Sequence, residues 1–268
     1  MQHAVFLAPF GELAEPRALI DVAVAAEATG WDAIFLWDHL LRPVTETTHI
    51  GDAWISLAAI ATATDRIRLG TMVTPITRRR PAKLARETIA LDRLSAGRLI
   101  VGLGLGVDSG GELTRFGEQT DPVTRGDRLD EGAELLLALW SGREVEHRGP
   151  HFMADGVRFQ PGPFRSTGIP LWFGARGDAR RPVRRAARLG TGIHAIEMDD
   201  GQVAAMLELV RSVRGSLDGF DVALNVEPGE DGRRQGDLGA TWVMHAFGAS
   251  ATVAKVLAVV ERGCPSPG

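Results

Sequence analysis

Apolar positions along this chain follow two alternating patterns. Short continuous apolar runs are separated by longer segments in which apolar residues recur every three or four positions. A short continuous run reads as a strand buried on both faces, and the 3.6-residue spacing reads as an amphipathic helix. Residues 5–8 predict a first strand. A helix over 16–29 follows, with Leu19, Val22, Ala23 and Ala26 on one face, Pro16 in its first turn and Gly30 just past its end. The second strand is 33–36. Then come a helix over 52–64 with Asp52 as N-cap, a strand over 67–72, a helix over 81–94, a strand over 99–103 and a helix over 124–140.

The alternation pauses at 144–165, where Gly149-Pro150 and Asp155-Gly156 flank the segments 151–154 and 157–159. That predicts a small hairpin, an insertion between the fourth helix and the fifth strand. Strands over 171–173, 192–195, 222–225 and 241–244 resume the series, with helices over 179–189, 201–217 and 250–262. The stretch 228–236 holds at most one helical turn. Eight strands separated by helices predict parallel β/α units. An open doubly wound sheet stays possible. The count of eight and a length of 268 residues favour a single (β/α)8 TIM barrel spanning 1–268, since such barrels typically need about 250 residues.

Candidate chemistry gathers where apolar runs end. The run 33–37 stops at Asp38-His39, and parallel α/β folds place their sites past the carboxyl ends of strands. Asp38 serves either as a cap or as part of a site. The run 99–106, L-I-V-G-L-G-L-G, has the wrong spacing for a dinucleotide fingerprint. Its Gly104 and Gly106 either let a flat ligand approach the backbone or make a turn. Arg78-Arg79-Arg80 precede a helix and read as a solvated lead-in or an anion contact, with Glu87 as a candidate acidic partner. Gly174-Ala175 end the fifth strand ahead of a helix whose free N–H groups would suit a phosphate, with Arg176 adding charge.

Composition narrows the classes. Hydrophobic residues make up 44% and the net charge is −4, with both signs interspersed. Nucleic acid is therefore not an expected partner. No apolar run approaches the roughly 20 residues of a membrane span, so the default expectation is a cytoplasmic protein. A single cysteine excludes an intrachain disulfide, no cluster has metal spacing, and the absence of tyrosine excludes a Tyr general acid.

Three segments together resemble the bacterial luciferase-like monooxygenase superfamily of flavin and F420 enzymes. They are G-W-D-A-I-F-L-W-D-H-L, the stretch from R-I-R-L-G-T-M-V-T-P through P-A-K-L-A-R-E-T-I-A-L-D-R-L-S-A-G-R-L-I-V-G-L-G-L-G, and I-P-L-W-F-G-A. The resemblance implies a flavin across the carboxyl ends of the strands, with Asp38 and His39 beside its ring. It implies a non-prolyl cis peptide at Met72-Val73, with Thr71, Met72 and Val73 under the ring, and a phosphate site at Gly174-Ala175. In F420 relatives an acid often follows the glycines after the fourth strand; here Val107 stands there, which weakens any carry-over of a carboxylate proton donor.

The function expected from these readings is an FMN-dependent monooxygenase. It would use reduced flavin and O₂ on a small organic substrate, with flavin delivered by a separate reductase. His39 would act as acid/base, Asp38 would orient it or touch the ring, and Trp37 and Trp54 would wall the pocket. The alternatives are an F420-dependent dehydrogenase or reductase, in which the arginine trio would meet the acidic tail of F420, and a non-catalytic flavin-binding protein. A homodimer through the second and third helices is implied by the resemblance.

Overall fold

A computed structural model of the chain describes residues 1–265. The strands are β1 (Gln2–Leu7), β2 (Ala33–Leu36), β3 (Arg68–Pro75), β4 (Leu99–Gly104), β5 (Glu144–Arg148), β6 (Met153–Arg158), β7 (Leu171–Arg176), β8 (Gly192–Ile196), β9 (Asp221–Val226) and β10 (Trp242–Ala246). The helices are α1 (Pro16–Ala28), α2 (Ala53–Ala63), α3 (Pro81–Leu94), α4 (Pro122–Trp140), α5 (Arg180–Leu189), α6 (Asp200–Arg214), α7 (Arg233–Asp237) and α8 (Val253–Val260). Eight parallel strands close in the order β1-β10-β9-β8-β7-β4-β3-β2, while β5 and β6 pair antiparallel outside the barrel. This is the expected TIM barrel with its hairpin.

Two apolar layers explain why the runs are continuous. Leu19, Val22, Ala23 and Ala26 of α1 sit in the layer between helices and strands. Phe35, Met72, Ile100, Trp172, Trp242 and Met244 fill the barrel interior. Phe35, Trp172 and Trp242 interlock with centroids 5.4–6.0 Å apart and plug the amino-terminal half. Truncating a fully buried ring of this kind costs about 3–5 kcal/mol. At the carboxyl end Gly104 and Gly174 leave space that Val73 occupies, beside Trp37 and Ala246.

Several elements differ from their expected bounds. β3 runs on to Pro75, because its pairing with β4 shifts register between Thr71 and Thr74 and then resumes. The hairpin turns at Gly149-Pro150; Asp155-Gly156 lies inside β6, beside a register shift that absorbs the positive φ of Gly156. The last helix begins only at Val253, where Thr252 accepts a hydrogen bond from the Lys255 N–H. Asp52 does cap α2, accepting from the Ile55 N–H at 2.8 Å. No helix among the described residues is long and apolar enough to cross a membrane.

Candidate active site

β2 delivers Asp38 and His39 to the carboxyl end of the barrel, and the two side chains do different things. Asp38 is buried at the centre of a donor cluster. It accepts from Thr74 Oγ1 (2.8 Å), Trp54 Nε1 (3.1 Å), Arg78 (3.2 Å) and Arg79 (3.0 Å). With its lone pairs so occupied, it ties the end of β2 to β3 and to the segment leading into α3. It makes no bond to His39. The expectation that Asp38 orients His39 is therefore corrected. Trp54, expected on a pocket wall, is buried and spends its N–H on Asp38.

His39 is oriented by Glu112, a residue the sequence did not single out. Its Nδ1 lies 3.0 Å from Glu112 Oε1. The same oxygen accepts the backbone N–H groups of Leu40 and Leu41, the latter at 3.0 Å, and Oε2 lies 3.4 Å from Arg78. The Glu112 side chain has no exposed surface, and that of His39 retains 15%. Burial alone would raise the carboxyl's pKa. The hydrogen bond and charge of His39, the Leu41 N–H and the Arg78 charge outweigh it and hold Glu112 below its ordinary value. The carboxylate therefore stays ionised and accepts from Nδ1–H, which leaves Nε2 on the far side of the ring. Nε2 has no hydrogen-bond partner among the described residues.

Glu112 reaches His39 because its loop is held from two sides. Asp108 accepts the Leu113 and Thr114 N–H groups (2.7 and 3.2 Å), and Arg125 donates to the carbonyls of Leu105 and Gly106. A Cβ on Gly110 would lie 2.8 Å from the Leu41 and Arg42 backbone, so only glycine lets this loop abut the one after β2. Glu112, five residues past Val107, is spent on His39, the Leu40 and Leu41 N–H groups and Arg78. The sequence signal was the lone acid in Gly110-Gly111-Glu112, visible only as loop polarity.

Two members of the arginine trio are not a solvated lead-in, whereas Arg80 is exposed as that reading expects. Arg78 has 3% side-chain exposure and bridges Asp38 and Glu112; it also donates to the Asp38 carbonyl at 2.8 Å. Arg79 pairs with Asp38 and, at 3.7 Å, with the expected Glu87.

The remaining expected site residues fall into two groups. The Met72-Val73 peptide is cis. Thr71 and Met72 are buried, and Val73 lies across the barrel's mouth. A Cβ on Gly104 would collide with Val73 Cγ2, and one on Gly174 would come within 3.1 Å of Val73 Cγ1. Those glycines make room for Val73, so they shape a platform. Gly106 adopts φ +74° at the turn that Arg125 holds. Around the expected phosphate site, Ala175 is buried in the helix layer, while Arg176 is exposed and paired with Glu197 at 3.0 Å. The N-terminus of α5 has no side-chain cap, so its first N–H groups are open to an anion. A cavity of about 440 Å³ between Trp140, Gln160, Arg165 and Leu171 lies at the amino end of β7, away from His39.

Residues 2–228 match the luciferase-like monooxygenase family. The chain belongs to that family. Two curated relatives are named F420-dependent glucose-6-phosphate dehydrogenase. The one from Nocardia farcinica is 34% identical over 179 residues, and the one from Microbacterium testaceum 31% over 178; each alignment covers 66% of this chain and 52% of the relative. The chain thus spans about half the length of the curated relatives it matches. An F420-dependent secondary alcohol dehydrogenase, solved with an F420-acetone adduct, superposes with a TM-score of 0.74 at 22% identity, covering 86% of this chain and 71% of that one. At that identity it supports the fold alone. The names of the curated relatives overturn the expected FMN-dependent, O₂-using monooxygenase. The family name had drawn that reading toward oxygenation, whereas these relatives lie in its F420-dependent branch.

Proposed function

We propose that this chain binds the deazaflavin F420 and oxidises a hydroxyl-bearing small molecule by hydride transfer, with His39 as general base. The observation that carries the reading is the His39–Glu112 dyad, whose open Nε2 lies at the barrel's carboxyl end. When bound, F420 would supply the two-electron hydride acceptor. The residues present fit such a group. Val73, seated on Gly104 and Gly174, offers a bare platform for a flat ring, and the uncapped α5 N-terminus offers N–H groups to a phosphate.

The chain's own residues then account for the proton. The substrate hydroxyl gives its proton to His39 Nε2. The imidazolium that forms is stabilised at Nδ1 by ionised Glu112, and Arg78 keeps Glu112 ionised. Asp38 holds the backbone from which His39 projects. Trp37, half-buried with its ring 5.9 Å from that of His39, helps exclude water from one side.

The test is His39→Ala, with F420 binding followed by its fluorescence. Binding is expected to persist while turnover falls about 10²–10⁴-fold, the range for losing a general base. Failure of the wild-type chain to bind F420, or unchanged turnover in the variant, overturns the proposal.

A further inference from the structure

We propose, resting on the F420 reading above, that Glu197 is a specificity-determining residue. Through its ion pair with Arg176 it lets the cofactor site accept a phosphodiester, as in F420, and disfavours a phosphomonoester, as in FMN. Two observations carry this. The first is position. β7 and β8 pair with Arg176 opposite Ile196. A Cβ on Gly174 would lie 3.1 Å from Val73 Cγ1 and 3.3 Å from Ile196 Cδ1, so Gly174 and Ile196 border the platform. Arg176 and Glu197 follow directly, where the chain turns toward the N-terminus of α5. Their side chains are paired at 3.0 Å and stay 59% and 67% exposed, within reach of a ligand. Glu197 has φ +51°, a left-handed backbone that glycine adopts freely and glutamate only at a cost. The fold nevertheless sets a carboxylate at this turn.

The second observation is the charge balance. In the turn 176–180 the charged side chains are Arg176, Asp178 and Arg180, all exposed. Arg180, and Arg184 one helical turn on, are exposed and make no ion pair among the described residues, whereas Arg181 is held by Asp127 and Asp130. These free guanidinium groups and the uncapped N–H groups of α5 attract any phosphate. Glu197 decides how much charge that phosphate can carry. An oxygen sharing Arg176 with Glu197 would sit about 5–6 Å from the carboxylate, one hydrogen bond on each side of the guanidinium. F420 carries its phosphate as a diester, with one negative charge. FMN carries a monoester, with a charge of about −1.5 to −2 at pH 7 and a second pKa of about 6. That extra charge faces Glu197 with Arg176 already engaged. For groups this exposed, water screens the repulsion to roughly 3- to 10-fold in affinity.

The placement separates cofactor choice from proton transfer. His39, Arg78 and Glu112 follow β2, β3 and β4, whereas Arg176 ends β7 and Glu197 follows β8. A change at Glu197 is therefore read in binding and leaves the dyad intact.

The test titrates the full chain with F420, with FMN and with the methyl ester of FMN, a phosphodiester on the same flavin, each followed by its fluorescence. At pH 7.5 the wild type is expected to bind the methyl ester roughly 3- to 10-fold more tightly than FMN. The ratio should shrink at pH 5.5, where FMN takes up a proton and loses its second charge. Glu197→Gln should bring the ratio at pH 7.5 close to one by tightening FMN, and Arg176→Gln should weaken both flavins. A ratio that Glu197→Gln leaves unchanged, or FMN binding that stays undetectable in that variant, overturns the inference. A wild type that binds F420 while failing either of these criteria loses only the role of Glu197. A wild type that binds the flavins with the expected ratio but not F420 loses the earlier reading, and one that binds no probe loses both.

Discussion

Replacing Glu112 by Gln isolates the charge of a buried carboxylate at nearly constant shape. In the wild type its oxygens face four donors: His39 Nδ1–H, the Leu40 and Leu41 N–H groups, and Arg78. The amide keeps one oxygen for the first three but turns an NH₂ toward Arg78. Removing one partner of a buried pair costs about 3–5 kcal/mol. Arg78 keeps Asp38 as a partner, with its carbonyl at 2.8 Å and its carboxylate at 3.2 Å, so we take about 2–3 kcal/mol, near the value for lost charge-assisted bonds. For a barrel of this size that is a fall in Tm of about 5–10 °C, and the variant still folds. The pH dependence has a defined sign. Glu112 titrates below its ordinary 4.5 in the folded state, so its contribution is fully present above 4.5 and is lost as pH falls through the lower folded value. The gap between wild type and variant, followed by urea denaturation, is expected to be widest at pH 7 and to narrow only as pH falls below 4.5. Turnover should fall by at least about 100-fold, because the imidazolium loses its counter-charge. A variant that melts with the wild type and turns over normally would refute the dyad.

Other expectations follow from the same geometry. Gly104→Ala should cost about 1–3 kcal/mol, since the new methyl group displaces Val73, and should weaken F420 binding by deforming the platform; a calorimetric titration checks both. His194 is pushed down from 6.5 to about 4 by burial, against the Asn225 hydrogen bond that would raise it. It stays neutral in the fold while the unfolded chain takes up a proton below 6.5. Stability is thus expected to decline by up to about 3 kcal/mol between pH 6.5 and 4, and His194→Gln should flatten that slope in urea midpoints.

The barrel was legible because each strand is a continuous apolar run and each helix carries one apolar stripe. Both signals are local, and α3 came out at its expected bounds. The ends of β3 and the hairpin turn were less legible, because bulges there depend on a neighbouring strand. Asp38 and His39 stood out as polar residues ending an apolar run. Their roles did not, since a carboxylate acts on whatever donors surround it, and those donors lie 16–41 positions away. Glu112, 73 positions from His39, had no local signature beyond an acid following two glycines.

The sequence by itself determined the class of fold and the end of the barrel where chemistry belongs, because hydrophobic periodicity is a property of neighbouring residues. Only the tertiary structure decided which acid serves which base. Closing the barrel brings the loops after β2 and β4 into contact at Gly110, and there Arg78 bridges two carboxylates, one holding the backbone and the other the imidazole. Pairings of that kind are set by distance in space, which chain spacing does not encode.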